Sequence, residues 1–148
     1  MAKSIIGRVE RVSLPKLNLF DIDAKIDTGA YTSSIHCHHI NKLNYDGKNI
    51  VQFKILDPTN PNYQDIKFQL PIHSEKNVKS SSGESMSRIF IKTPLTIFNK
   101  TFKIELSLTD RSKMKYPILL GRKAIRGKFL VDVANKYVSN QIEERGTK

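Results

Sequence analysis

Short apolar runs, closely spaced and broken by turn residues, constrain the fold of this 148-residue chain more than any other feature. Between residues 17 and 26 apolar side chains recur mostly at every second position, with one slip near Phe20 and Asp21 that a bulge would absorb. Further short runs follow at 35–37, 50–56, 66–70, 88–91, 95–98 and 102–108. Turn residues separate them at Asp46-Gly47, Asp57-Pro58, Asn60-Pro61, Ser82-Gly83 and Asn99-Lys100. This pattern predicts an all-β sandwich or barrel.

One short helix is predicted near the C-terminal end of the chain. It follows Gly121 and spans residues 122–126, and Gly127 ends it before the apolar run F129-L-V-D-V133 resumes as a strand. A chain of 148 residues with 39% hydrophobic residues has the size and composition of one globular domain. We therefore expect residues 1–148 to form a single domain.

Charge and cysteine content narrow the class of protein. The formal net charge of +11 would attract phosphates, acidic peptides or anionic surfaces, but no block of five or more like charges marks a nucleic-acid site. Cys37 is the only cysteine, so no intramolecular disulfide can form and a reducing compartment is the simpler assumption. The first residues lack the apolar stretch of a signal peptide, and no run approaches the ~20 residues of a membrane span. These features predict a cytoplasmic protein without a membrane partner.

An acid, a hydroxyl residue and a glycine follow the first clear strand, in the segment K25-I-D-T-G-A30. Gly29 permits backbone angles that other residues resist, and Thr28 supplies a hydroxyl that can anchor a turn. Asp27 is thus expected on a rigid loop at the end of the strand. Its carboxylate could serve chemistry, or it could only cap its own backbone as in an Asx-turn.

A second segment, Y116-P-I-L-L-G-R122, predicts a buried strand that turns tightly into the short helix. In order and spacing, D27-T-G-A, the Ser- and Gly-rich hairpin and L119-L-G-R122 resemble the retroviral-type aspartic proteases. The stretch 24–137 is similar to the retropepsin-like aspartic peptidase family of bacteria and archaea, commonly catalogued as ATP-dependent zinc proteases and frequently found beside ATP-grasp glutamate ligases. The resemblance implies a closed retropepsin-like (acid protease) barrel with one short C-terminal helix, and the activity of an aspartic endopeptidase.

The number of Asp-Thr-Gly segments predicts an oligomeric state. Aspartic proteolysis requires two close carboxylates that share one proton, so that one acts as base and the other as acid toward a water. The chain contains one Asp-Thr-Gly and no Asp-Ser-Gly. The second carboxylate must then come from another copy, with Asp27 facing its symmetry mate across a homodimer.

The resemblance also assigns roles to residues. Asp27 is expected to be the catalytic acid, with Thr28 bonding across the dimer axis beneath it and Gly29 completing the catalytic loop. The expected substrate-binding residues are Ala30, Tyr31, Ser82, Gly83, Arg88 and Arg122. Ser82 and Gly83 occupy the place of the flap, and Arg88 could reach an acidic substrate or remain a solvated strand charge.

The sequence departs from the retroviral pattern at Tyr31. Retroviral enzymes usually carry an acid there that pairs with the arginine of their Gly-Arg motif. Arg122 must therefore find another partner, for which Asp110, Asp132 and a substrate carboxylate are candidates. A basic cleft for Glu-rich peptides or polyglutamate tails would fit the net charge and the neighbouring ligase genes of the family.

Other chemistries receive weaker support. The segment H36-C-H-H39 places His36 and His38 on one strand face, where His73 or Asp23 could complete a zinc site, but no His-Glu-x-x-His motif occurs. The segment G121-R-K-A-I-R-G-K-F129 fails the spacing and the final residue of a phosphate-binding loop. We therefore expect no metal and no cofactor. The alternatives are a zinc-dependent peptidase, or a non-catalytic basic β-barrel that binds nucleic acid or the ribosome.

Overall fold

The structure, a computed structural model, describes residues 3–79, 83–110 and 115–139. Its strands are β1 (Ser4–Gly7), β2 (Val9–Leu14), β3 (Leu19–Ile26), β4 (Ser33–Tyr45), β5 (Lys48–Ile55), β6 (Lys67–Pro71), β7 (Ser74–Lys79), β8 (Ser85–Ile97), β9 (Lys100–Thr109), β10 (Ile118–Leu120) and β11 (Phe129–Asp132). A 3-10 turn spans Pro15–Leu17, and the helix α1 spans Arg122–Ile125. The predicted all-β class is confirmed, and the short helix expected directly after Gly121 is present.

Six strands form a closed ring in the order β10, β3, β2, β8, β9, β4 and back to β10. The three-residue strand β10 closes the ring because it pairs in parallel with β3 on one side and antiparallel with β4 on the other. Outside the ring, β5 and β6 extend the sheet from β4, and β7 pairs with β8. The predicted closed barrel is therefore confirmed.

The apolar residues predicted at alternate positions of β3 are the ones whose side chains are buried. Its inward side chains are Leu19, Ile22, Ala24 and Ile26. The expected slip is present: Val12 pairs with Ile22 while Leu14 pairs with Leu19, so Phe20 and Asp21 of β3 stand opposite the single residue Ser13, which makes a bulge of one extra residue. Asp21 adopts a φ of 54°, in the left-handed region that an aspartate tolerates better than most residues.

The core is largely aliphatic and is assembled from every strand of the ring. Its fully buried members include Leu14, Ala24, Ile35, Ile91, Leu106 and Ile118. Because successive strand residues face opposite sides, the same strands present polar residues outward. The apolar end of β3 and the closing strand β10 thus lie directly below the loop that carries Asp27.

A separate two-stranded sheet joins the two ends of the described chain. β1 and β11 run parallel, with Ile5 opposite Leu130 and Ile6 opposite Val131. Ile6 and Val131 pack on the core, whereas Ile5 and Leu130 face outward, 48% and 54% exposed. This sheet therefore carries an exposed apolar face.

Glu10 ties β2 to the segment that follows β11. Its side chain is fully buried, and its carboxylate accepts hydrogen bonds from the backbone N–H groups of Gly7 at 2.7 Å, Val138 at 2.9 Å and Ser139 at 3.2 Å. The Ser139 hydroxyl donates a fourth bond. A buried carboxylate is tolerated when its oxygens are fully hydrogen-bonded, and here they are.

Two details of the strand prediction differ from the structure. The runs at 88–91 and 95–98 are one strand, β8, which continues through Pro94 opposite Lys103. The N-terminal strands β1 and β2 were not predicted, since the paired isoleucines and the buried Glu10 interrupt the alternation there. Within the described part of the chain, no helix has the length and apolarity needed to cross a membrane.

Candidate active site

Asp27 lies immediately beyond the last residue of β3, on the loop where the ring closes. Its backbone N–H donates to the carbonyl of Leu120 at 2.8 Å, which extends the parallel pairing of β3 and β10 by one step. The strand end is therefore fixed by a neighbour from the far end of the sequence. The structure places Asp27 on the rigid loop that the sequence predicted.

The carboxylate of Asp27 is only partly committed to its own turn. The Gly29 N–H donates to Asp27 Oδ1 at 3.1 Å, and the Ala30 N–H donates to the Asp27 carbonyl at 3.2 Å. Within residues 3–79, 83–110 and 115–139, Oδ2 of Asp27 has no hydrogen-bond partner. The side chain therefore shapes an Asx-type turn with one oxygen and leaves the other open to a ligand or a second chain.

Gly121 allows the loop after Asp27 to press against the start of α1. A Cβ at position 121 would lie 2.4 Å from the Thr32 carbonyl oxygen, so only glycine fits there. The Gly121 N–H donates to the Ser33 hydroxyl at 3.0 Å. The Arg122 N–H donates to the Ala30 carbonyl at 2.8 Å, and the Lys123 N–H to that of Tyr31 at 3.0 Å. These contacts hold the loop along its whole length.

The partner of Arg122 is neither Asp110 nor Asp132. Its guanidinium donates to the Thr28 carbonyl at 2.8 Å, and its central carbon lies 5.8 Å from the centroid of the Tyr31 ring. The aromatic ring at position 31 thus takes the place of the retroviral acid, because a ring face attracts a guanidinium without a formal charge. Arg122 holds the Asp27 loop through a backbone carbonyl of that loop rather than through a carboxylate.

The predicted hairpin is present, with β7 paired antiparallel to β8 from Ser74 opposite Phe90 to Lys79 opposite Ser85. Gly83 is exposed at its tip with a φ of 86°, a conformation that favours glycine. Ser82 lies outside the described residues. Arg88 leaves the hairpin opposite Lys76. The flap role of this hairpin remains a prediction.

The residues considered for zinc have separate partners. His36 Nε2 lies 2.7 Å from Asp57 Oδ2, the His38 ring nitrogen Nδ1 contacts the Leu56 carbonyl, and His73 Nε2 lies 2.9 Å from Glu105 Oε1. Asp23 accepts from the Tyr137 hydroxyl at 3.0 Å. Across the described ranges, no three His, Cys, Asp or Glu side chains gather as a metal site would require.

Among the cavities on the described surface, two bear on the site. The larger is an open groove of about 960 Å³ between β2, β3 and the loop after β5, and Asp27 does not line it. The smaller of the two has a volume of about 160 Å³ and borders the Asp27 loop at Thr32 and Ser33. The sequence did not predict this cavity, because its lysines lie far apart in the chain and come together only when β8 pairs with β9 and α1 lies beside them.

A family model and several curated proteins are similar to this chain over most of its length. A family model described as RimB-like, the retropepsin-like aspartic endopeptidase RimB, matches residues 5–142. A probable alpha-L-glutamate ligase of Desulfotalea psychrophila is 37% identical over 134 residues, which are 90% of this chain and 29% of that protein. A probable alpha-L-glutamate ligase of Shewanella pealeana is 35% identical over 91% of this chain and 30% of its own length. The chain thus spans under a third of these relatives.

A solved structure is also similar. The crystal structure of Lpg0085, a protein of unknown function from Legionella pneumophila, superimposes with a TM-score of 0.76 at 29% sequence identity. The match covers 93% of this chain and 99% of that one.

Proposed function

The chain belongs to the RimB-like family of retropepsin-like aspartic endopeptidases, and from this premise we propose that it hydrolyses peptide bonds with a water activated by two Asp27 carboxylates, one from each copy of a homodimer. The observation that carries the proposal is the position of Asp27. Its carboxylate sits on a loop braced by β10 and Arg122, with one oxygen bonded to Gly29 and the other open. Thr28, exposed beside it, is proposed to bond across the dimer axis, and Gly29 completes the catalytic loop.

The chemistry follows from two like charges at short range. When two carboxylates approach within hydrogen-bonding distance, repulsion raises the pKa of one of them so that the pair holds a single proton. The ionised group takes a proton from the water as its oxygen attacks the substrate carbonyl carbon. The protonated group gives its proton to the carbonyl oxygen. The group that took the water's proton then passes it to the amide nitrogen, and the other group takes a proton from a hydroxyl of the tetrahedral species as the carbon–nitrogen bond breaks and the amine leaves.

The exposed apolar face of the β1–β11 sheet supports the homodimer. Ile5 and Leu130 lie side by side on it, and Val133, which follows β11, is 70% exposed. Among the described residues each of these strands has one neighbour, so each keeps an unpaired edge. A second copy could cover the face and extend the sheet, since such patches on soluble proteins mark interaction sites.

Charge and relatives support an acidic peptide as substrate, with polyglutamate as the specific candidate. The chain carries 25 Lys and Arg residues against 14 Asp and Glu residues. Its curated relatives bear the name of a glutamate ligase on proteins more than three times as long as the matched segment. A peptidase segment joined to a glutamate-adding enzyme would act on the same acidic chain. The proposed substrate contacts are Ala30, Tyr31 and Arg88, together with Ser82 and Gly83 of the flap. We further propose that these residues belong to one domain and that the protein acts in the cytoplasm.

The experiment compares wild type with Asp27→Asn on a glutamate-rich peptide, followed by mass spectrometry. General acid–base catalysis contributes roughly 10²- to 10⁴-fold, so we expect the variant to lose about 10³-fold or more in rate. Asp46→Asn, in the exposed turn between β4 and β5, is the matched control and should cut at the wild-type rate. Equal rates for wild type and Asp27→Asn would refute the proposal. A barrel that only binds nucleic acid would instead show binding that weakens steeply with salt and ignores Asp27.

A further inference from the structure

The smaller cavity, of about 160 Å³, is walled mainly by basic side chains and lies against the catalytic loop. Its lining residues are Thr32, Ser33, Lys92, Lys103, Ile104, Glu105, Lys123, Ala124 and Lys128. They come from the start of β4, from β8 and β9, and from α1 with the turn that follows it. We refer to it below as the lysine cavity.

Strand pairing explains why the lysines converge. Lys92 of β8 lies directly opposite Glu105 of β9, and Lys103 precedes Glu105 by two residues. Residues directly opposite and two apart project from the same face of a sheet, so these three side chains share the outer face of the hairpin. Lys123 of α1 reaches the same face, because its ammonium group bonds Glu105.

The one acid in the lysine cavity is already occupied. Glu105 accepts from Lys123 through Oε2 and lies 2.9 Å from His73 Nε2 through Oε1. The hydrogen bond from Lys123, followed by that from His73, lowers the pKa of the Glu105 carboxyl below its ordinary value. The carboxylate therefore stays ionised at neutral pH and neutralises Lys123.

Three ammonium groups remain without an acidic partner in the described part of the chain, those of Lys92, Lys103 and Lys128. Lys128 lies over the Phe102 ring, with its nitrogen 4.7 Å from the ring centroid, a contact that leaves its positive charge uncompensated by any carboxylate. Three like charges around one small concavity repel each other and attract a counter-ion. Hydroxyl donors are also available: Ser33 accepts from Gly121 N–H and keeps its own O–H free to donate, and Thr32 lies beside it.

We propose that the lysine cavity binds a compact oxyanion, a carboxylate or a phosphate group. A lysine ammonium group only donates hydrogen bonds, and the Ser33 hydroxyl has its proton left to donate, so these groups suit an oxygen acceptor. The volume fits one compact group rather than a folded segment. The cavity also touches the active-site loop, since the Lys123 N–H donates to Tyr31 and Thr32 forms part of the wall. Where the proposed peptidase function holds, on which this last step rests, the occupant is an acidic side chain of the substrate some residues away from the cut bond.

Binding is measured on the Asp27→Asn protein, so that the result does not depend on catalysis. The double variant Lys92→Gln/Lys103→Gln removes two exposed charges of the lysine cavity, and Lys16→Gln/Lys48→Gln removes two exposed charges elsewhere as the matched control. The probes are inorganic phosphate and a tetraglutamate peptide. Both are titrated by calorimetry and by backbone NMR at one ionic strength set with chloride, because salt screens such contacts. Thermal melting confirms that all variants fold.

We expect the cavity variant to bind at least one probe about tenfold more weakly, whereas the control changes binding less than twofold; a factor of ten is about 1.4 kcal/mol. Resonances of Thr32, Ser33 and Lys123 should shift on titration. A loss confined to the peptide identifies a carboxylate of the substrate, and a loss confined to phosphate identifies a free ion. Unchanged binding of both probes by the cavity variant overturns the proposal.

The experiments distinguish failure of the oxyanion site from failure of the peptidase function. If wild type cuts no peptide but the cavity variant loses anion binding, the oxyanion site stands and the peptidase function does not. If wild type is an active peptidase, the cavity variant should raise KM for the acidic peptide about tenfold while kcat changes less than twofold. If the cavity variant cleaves the peptide with unchanged KM and binds both anions as before, the oxyanion site is refuted and the peptidase function is not.

Discussion

Glu10 and Asp27 are two carboxylates of the same barrel with opposite surroundings. Glu10 is fully buried and accepts four hydrogen bonds, from Gly7, Val138 and Ser139. Asp27 is partly exposed and accepts one, from Gly29. Both side chains are held in place, but only Asp27 has a carboxylate oxygen without a hydrogen-bond partner in the described part of the chain.

The difference separates a structural acid from a candidate catalytic one. A carboxylate whose lone pairs are all taken by its own chain stabilises the fold and has no further capacity to move a proton. A carboxylate on an equally well-supported loop, but with an open oxygen, can meet a water or a second carboxylate. When two carboxylates share one proton, each must be held in place by its own chain and must also keep one oxygen free of hydrogen bonds to that chain.

The largest effect is expected when association with the second copy, which would supply the second Asp27, is weakened. Leu130→Asp places a charge on the apolar face of the β1–β11 sheet, and a two-fold interface would bury that charge twice. We expect the dimer to dissociate at least about 10³-fold more readily, with peptidase activity lost at sub-micromolar protein and partly regained at high concentration. Analytical ultracentrifugation alongside the peptide assay measures both.

Phe20→Asp is the control for this variant, because Phe20 is 57% exposed on β3 and lies outside the β1–β11 sheet. It should leave both association and activity unchanged. A Leu130→Asp protein that remains a fully active dimer would remove this face from the interface.

The next effect falls on Glu10. Glu10→Gln keeps the shape but turns two of the four accepted hydrogen bonds into clashes between donors, so we expect the free energy of unfolding to fall by about 3 kcal/mol. Chemical denaturation measures the loss. The rate of peptide cleavage by the folded protein should change less than threefold, the reverse of the pattern for Asp27→Asn.

Glu75→Gln provides the comparison for Glu10. Glu75 forms a surface ion pair with Lys42 at 3.2 Å, and such pairs contribute at most about 1 kcal/mol. Equal stability losses for Glu10→Gln and Glu75→Gln would show that the buried carboxylate has no special structural role.

The smallest effect belongs to a third carboxylate, Asp57, which lies between the two extremes. The Thr59 hydroxyl and backbone N–H, followed by His36, lower the pKa of the Asp57 carboxyl below its ordinary value. A lowered pKa in the folded state means that the ionised form stabilises the protein above the pKa of the unfolded chain, and that this contribution is lost as the pH falls through the folded value. Thr59→Val should cost about 1 kcal/mol at pH 7 and progressively less below about pH 4.

Thr101→Val tests whether that pH dependence is specific. It removes a bond of 2.9 Å between the hydroxyls of Thr96 and Thr101, neither of which ionises. Its effect on the free energy of unfolding should be the same at both pH values. A pH-independent effect of Thr59→Val would contradict the assignment to Asp57.

Local patterns were sufficient to predict most of the fold. The period-two run of β3, its bulge at Asp21 and the turns at Gly47 and Asn99 are all decided by neighbouring residues, and the structure has each of them. β1 and β2 were not predicted, because the adjacent isoleucines and the buried Glu10 interrupt the alternation there, and because β1 pairs with β11 from a distant part of the sequence. The runs at 88–91 and 95–98 were predicted separately, yet they form one strand that continues through Pro94 opposite Lys103.

The candidate site was predictable only in part for the same reason. Asp27 and its turn are written in six consecutive residues, but the partner of Arg122 is a backbone carbonyl 94 residues away. Carbonyl groups leave no signature in a sequence, and the prediction of Asp110 or Asp132 as the partner of Arg122 was therefore wrong. The lysine cavity likewise depends on the register between β8 and β9, which no single segment reveals.

The three residues of β10 have a consequence for the order of events in folding. Ile118–Leu120 are made long after β3, with which they pair, and joining segments so distant in sequence carries an entropic cost. Until that strand inserts, Asp27 has no Leu120 carbonyl to anchor it and no Gly121 to press its loop into shape. The loop that carries Asp27 therefore takes its shape only at a late step of folding, once β10 has been made and has inserted between β3 and β4.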